Sequence, residues 1–130
     1  MKKRTYTMLL LGLILAATLL AACGPSTPPP PTATPTPAAD VVNGQQKFAS
    51  TCGSCHGPDG KGMPNLGKDL TVSQFVKDHS DAEMVAFLLV GRPASDPLNT
   101  VGVDMPPKGG NPALTDQDLL DIVVYIRSLQ

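Results

Sequence analysis

Seven of the chain's 14 prolines fall between Pro25 and Pro37, and the surrounding segment from Gly24 to Ala39 carries no charge and no large apolar side chain. Such a stretch cannot bury enough surface to offset its ordering entropy, and clustered prolines bias it toward an extended, semi-rigid form. At about 3.1 Å per residue its 16 residues reach up to roughly 50 Å. Before it, Met8 to Leu20 is an almost wholly apolar run of 13 residues. Whatever folds must therefore do so within about 90 residues starting near Asp40, whose aromatic side chains are Phe48, Phe75, Phe87 and Tyr125. A domain of that size with so few large side chains is marginal on its own. A non-protein group filling its interior is the expected remedy. The formal charge of −1 gives no electrostatic reason to expect a nucleic-acid partner.

Lys2, Lys3 and Arg4 precede the apolar run, which is shorter than the roughly 20 residues a bilayer-spanning helix needs. Residues 1–22 are therefore read as an export signal. The run ends in Leu20-Ala21-Ala22-Cys23, which resembles the lipobox of bacterial lipoproteins, in which the Cys is acylated and becomes the mature N-terminus. The resemblance makes Cys23 a lipid attachment point and residues 23–39 a tether. The domain is then held at the outer, periplasmic or extracellular, face of the cytoplasmic membrane. Several acyl chains on one residue give firm anchoring where a single chain is marginal. An ordinary cleavage site beside a chance Cys, or an uncleaved anchor, is the plainer alternative.

The chemistry lies in Cys52-Gly53-Ser54-Cys55-His56. Two Cys separated by two residues and followed directly by His read as a c-type haem attachment site. Both sulfurs reach the vinyl groups of one porphyrin while the adjacent His is delivered to the iron. A structural zinc site would need two further Cys or His ligands, and beyond the motif this region offers only His79. A thioredoxin-like dithiol would need a βαβ context and has no use for the His.

Around the motif the spacing predicts helices. Asp40 is placed to cap a helix from Val41 to about Thr51, with Val41, Gly44, Phe48 and Cys52 on one face. Ser80 with Glu83 predicts a helix from Asp81 to about Val90, stopped by Gly91 and carrying Met84, Val85, Leu88 and Leu89 at helical spacing. Thr115 with Asp118 predicts a last helix bearing Leu119, Ile122, Val123 and Ile126 on one face. A short helical turn is expected around Ser73 to Lys77. No stretch alternates with period two, so the fold class is all-α. The Pro- and Gly-rich segment Arg92 to Pro112 is too long to be an idle connection in so small a domain.

On these residues the segment 40–130 resembles a class I c-type cytochrome. The resemblance implies N- and C-terminal helices crossing near a right angle, one covalently bound haem c in the core, and Cys52, Cys55 and His56 as its attachment and ligand residues. Gly44 and Phe48 match the family's Gly-three-residues-aromatic pattern, and Tyr125 matches its aromatic at the crossing. Met105, in Asp104-Met105-Pro106-Pro107, matches the family's axial Met followed by Pro and is the expected sixth iron ligand; Met63, His79 and an open position are the alternatives. Met84 sits in a helix stripe and is expected to be core, and His79 a solvated surface residue. Pro64 matches the Pro associated with the carbonyl that holds the ligating His, which would put Leu66 at the haem pocket. Asn99, Thr100 and Arg92 are candidates to meet the haem propionates.

The implied function is a tethered single-electron carrier without catalysis of its own. Its partners are redox proteins of the membrane or periplasm, with no small-molecule substrate. A fixed subunit of a respiratory or photosynthetic complex, an oxidase or a quinol-oxidising complex such as alternative complex III, uses the same chemistry. A haem enzyme or ligand sensor, peroxidase-like, would require an open sixth position. The folded part has 11 acidic and 7 basic side chains, a balance of −4, which favours a partner with a basic docking patch.

Overall fold

The computed structural model describes residues 38–130; the expected export signal, Cys23 and residues 23–37 of the expected tether lie outside the described residues. Asp40 caps the first helix as expected, its Oδ1 accepting from the Val42 and Asn43 N–H groups at 2.8 and 3.1 Å. The helix begins as α1, Val41–Lys47, and continues without a break in helical dihedrals through a π-helical turn, Phe48–Cys52, into α2, Gly53–His56. The helix thus runs five residues past its expected end. Phe48 is fully buried and Gly44 is buried, but Val41 stands 44% exposed at the helix entrance.

Ser73 caps a short helix, α3, at Gln74–Asp78, and α4 spans Asp81–Val90. The expected capping box is formed on α4, with the Ser80 N–H donating to Glu83 Oε2 at 2.7 Å and the Glu83 N–H to Ser80 Oγ at 3.4 Å. Met84 and Leu88 are buried, whereas Leu89 faces outward. A 3-10 turn at Pro107–Gly110 leads to α5, Asp116–Ser128, whose Thr115–Asp118 box is also formed. Among the described residues there is no β-strand. Two isolated bridges, Met63 with Gly67 and Arg92 with Met105, are the only extended pairings among them. The fold is all-α, as the patterning requires.

The core forms where α1 crosses α5. Phe48 meets Tyr125 with ring centroids 5.3 Å apart, and Leu119, Ile122, Val123 and Ile126 complete the buried stripe of α5. The crossing is close because Gly44 lacks a side chain: a Cβ there would lie 2.0 Å from the Asp121 carbonyl oxygen. Asp121, only 3% exposed, fastens the same contact. Its Oδ1 accepts from the Asp40 N–H at 2.9 Å and from Gln117 Nε2 at 2.8 Å, and its Oδ2 from Asn43 Nδ2 at 2.6 Å. Burial pushes the Asp121 carboxyl up, but these hydrogen bonds outweigh it and hold it below its ordinary range.

At the other end of α5, Arg127 closes the domain. Its guanidinium donates to the Val76 carbonyl at 2.9 Å, to the His79 carbonyl and to Asp81 Oδ1. The end of α3 and the start of α4 are thereby tied to the last helix.

Candidate haem-binding cavity

The described residues enclose a cavity of about 450 Å³, a volume typical of a cofactor site. Its floor is the core itself: Phe48, Val76, Met84, Leu88 and Ile126 all face it. The protein therefore has few large side chains at its centre because the centre is a cavity. Cys52, Cys55 and His56 line one wall, and Met105 lies on the lining as well. Leu66, Leu98 and Val103 line it while remaining open to solvent, Leu98 at 62% exposure.

The π-helical turn determines how the motif enters this cavity. The Gly53 N–H donates to the Phe48 carbonyl, five residues back, so the helix is wider by one residue than an α-helical turn. Phe48 stays in the crossing while Cys52, Cys55 and His56 are turned onto the cavity wall. Cys52 and Cys55 are both free thiols. Burial, with a smaller push from Cys55, raises the Cys52 thiol to about 11. A redox-active cysteine usually has a lowered pKa, the opposite of this shift.

His56 is oriented by a backbone carbonyl, but not where the resemblance placed it. Its Nδ1 lies 2.9 Å from the Lys68 carbonyl oxygen, while Pro64 is exposed and off the cavity. The reason is the path of the loop after α2. The Met63–Gly67 bridge turns the chain back, and Gly67 lies so close to α2 that a Cβ there would be 2.2 Å from the Cys55 carbonyl oxygen. That approach brings Lys68 to the ring. Since a carbonyl can only accept, Nδ1 carries the proton and Nε2 presents its lone pair. Such a partner is what usually fixes a ligating His. The glycines of Gly57-Pro58-Asp59-Gly60-Lys61-Gly62 and Gly67 were the available signal for a tightly folded loop, though not for which carbonyl it delivers.

The other candidates separate clearly. Met63 is 43% exposed and off the cavity, and Met84 is a core residue whose side of the cavity is the floor. His79 is half-buried rather than solvated: its ring lies 4.1 Å from that of Phe75, and its Nδ1 is 2.8 Å from the Phe75 carbonyl. It does not line the cavity. Of the proposed propionate partners, Thr100 is exposed and off the cavity. Asn99 lines it, but all four hydrogen-bonding positions of its amide are taken by the backbone around it.

Arg92 is different. Its guanidinium carbon sits 4.7 and 4.8 Å from the Phe75 and Phe87 ring centroids, and its side chain is 15% exposed on the cavity wall. Asp96 Oδ2 lies 3.5 Å from Nε, close enough to balance charge, yet the buried Nε–H has no hydrogen-bond acceptor. A cation held by aromatic faces with a donor to spare suits a carboxylate. Two thiols, an oriented imidazole, a thioether, an apolar floor and an anion-seeking Arg together fit a haem with its two propionates.

The cytochrome c family model matches residues 41–130. The chain is 31% identical over 87 residues to the cbb3-type cytochrome c oxidase subunit CcoP of Rhodobacter capsulatus, covering 66% of this chain and 28% of the relative. It is 30% identical over 96 residues to the CcoP subunit from a further strain of the same species, covering 73% of this chain and 31% of that subunit. The chain thus spans about three-tenths of the length of these curated relatives. No solved structure gives a significant match.

Proposed function

The chain belongs to the cytochrome c family, and from that premise we propose that it is a membrane-anchored, single-haem carrier whose iron is held by His56 and Met105. Family membership carries a covalently bound haem c and electron transfer with it. The observation that supports the particular reading is one cavity lined by both thiols of the attachment motif, by a His held at Nδ1, and by the Met of the Met-Pro pair. The bound group supplies a one-electron iron couple. The chain supplies its setting. Cys52 and Cys55 fix it by thioether bonds, and His56 offers Nε2. Met105 offers a soft, neutral sulfur, which raises the potential relative to a second His. The apolar floor keeps water from the centre, while the rim at Leu66, Leu98 and Val103 leaves an edge through which electrons cross to a partner.

Similarity to an oxidase subunit favours work within or beside a membrane oxidase over free diffusion. No helix among the described residues is long and apolar enough to cross a membrane. Attachment would therefore come from the N-terminal segment, with lipid on Cys23 and residues 23–39 as tether at the outer face of the cytoplasmic membrane. Mass spectrometry of the mature N-terminus should find an acylated Cys23; an unmodified one would remove the anchor. Retention with an oxidase in mild detergent supports the subunit reading, and its loss supports the free carrier.

The ferric protein should show the near-infrared band of Met–haem ligation, and the ferrous protein should resist carbon monoxide. Met105→Ala should abolish that band with helicity intact. A band that survives the substitution would overturn the ligand assignment, and ready carbon monoxide binding by the wild type would favour a ligand sensor or haem enzyme.

A further inference from the structure

We propose that Asn99 is the positioning residue for Met105, holding the loop that presents the thioether to the cavity. Met105 lies on the long segment between α4 and the 3-10 turn, where Pro93 to Ser95 and Pro97, Leu98 and Thr100 are exposed and little apolar surface is buried. Leu98, Val101 and Val103 line the cavity, so apart from Met105, which packs against the core, side-chain packing within the protein does little to hold this loop. Its ends are joined by one backbone pair, in which the Arg92 and Met105 N–H groups each donate to the other's carbonyl at 2.8 Å. Pairing does not continue inward as a ladder. The Ala94 N–H turns to Asp104 Oδ1 instead, and the Val103 carbonyl is taken by the side chain of Asn99.

That side chain occupies the loop's centre. Nδ2 donates to the Val103 carbonyl at 2.8 Å and to the Pro93 carbonyl at 3.1 Å, joining the residue after Arg92 to one just before Met105. Oδ1 accepts from the Val101 and Gly102 N–H groups at 3.1 and 3.0 Å, shaping the turn between them. An amide has two donors and two acceptor positions, and here every one is engaged between Pro93 and Val103. Without this side chain the Val103 carbonyl and the Val101 and Gly102 N–H groups lose their partner, the Pro93 carbonyl keeps only the Asp96 N–H, and less offsets the ordering entropy of the loop. The segment carrying Met105 would then leave the cavity wall more often, with the helices undisturbed.

The inference rests on Met105 being the sixth ligand, so its test must separate the two. Imidazole is titrated into the ferric holoprotein at neutral pH, following the near-infrared band, for the wild type, Asn99→Ala, Asn99→Asp and Thr115→Ala. Imidazole enters only when Met105 leaves, so its apparent affinity reports the fraction of time the loop is released. Asn99→Ala should bind it about tenfold more tightly or more, the equivalent of losing one or two hydrogen bonds. Asn99→Asp keeps the acceptor side but sets a carboxylate oxygen against the Val103 and Pro93 carbonyls, and should bind imidazole at least as tightly as Asn99→Ala. Thr115→Ala weakens the fold at a distant cap and should leave the affinity unchanged. Loss of the band in Asn99→Ala before any imidazole is added, with far-UV circular dichroism intact, also supports the assignment. A wild-type band with Asn99→Ala within twofold of wild-type affinity would overturn the role of Asn99 alone. An equal shift in Thr115→Ala would reduce it to general stability. A wild type lacking the band would overturn the Met105 reading itself.

Discussion

The two walls of the cavity are built on different physical principles. The wall carrying Cys52, Cys55 and His56 belongs to a helix whose far side is welded to α5 by complete burial: Phe48 and Ile122 have no exposure at all. The wall carrying Met105 is an irregular loop held by the Arg92–Met105 backbone pair, by two short turns between Pro93 and Asn99, and by Asp96, Asn99 and Asp104 side chains acting on backbone. The first can fail only with the whole domain, because its contacts are the core. The second can open locally, since the hydrogen bonds that hold it are near solvent. On the proposed ligation, a thioether on the releasable side and an imidazole on the fixed side would make one ligand permanent and the other conditional.

The sharpest way to break this contrast is at Gly44. Gly44→Ala places a methyl group against the Asp121 backbone and should cost about 3 kcal/mol or more, unfolding or grossly destabilising the domain by circular dichroism. A folded protein that lost only its Met–haem band would show that the helix crossing is not the global element. Acid is a milder probe of the same wall. Hydrogen bonds from the Thr115 N–H and hydroxyl, then from Lys47, hold Asp118 well below the usual carboxylate range, and Asp121 is also lowered. Both depressed values mean stability that is complete above the unfolded carboxylate pKa of about 4 and is lost as pH falls below it. Thermal midpoints measured from pH 6 downward should stay level and then drop below about pH 4, and Asp121→Asn should flatten part of that drop. The smallest expected effect is at the cap. Thr115→Ala should cost about 1 kcal/mol, read as a modest fall in denaturation midpoint with the band unchanged.

The helical wall was largely legible in the sequence because its determinants are local. Asp40, Ser80 with Glu83, and Thr115 with Asp118 each act within three residues of where they stand, and the stripe of α5 repeats at helical spacing. Gly44 and Phe48 were legible through resemblance. What escaped depends on chain segments meeting across a distance. That Lys68 rather than Pro64 faces His56 is decided by how Gly67 lands on α2, and no local pattern encodes that landing. Asn99 reads as a polar loop residue near the cavity until its four partners are seen around it. Arg92 was one of three candidates, and what set it apart was its seat between two aromatic rings with an Nε–H that has no hydrogen-bond acceptor.

The π-helical turn at Phe48–Cys52 gives the length of this helix an angular meaning. Each residue of an α-helix advances its side chain by about 100° around the axis. The turn stores one residue more than the α-helical path requires, as the bond from the Gly53 N–H to the Phe48 carbonyl records. A deletion here that let the helix relax to a plain α-helix would rotate everything downstream by roughly that angle, while Gly44 and Phe48 kept their places in the crossing. The chain between Phe48 and Cys52 is thus a phase setting: it adds almost no reach, and it decides which way the attachment motif faces.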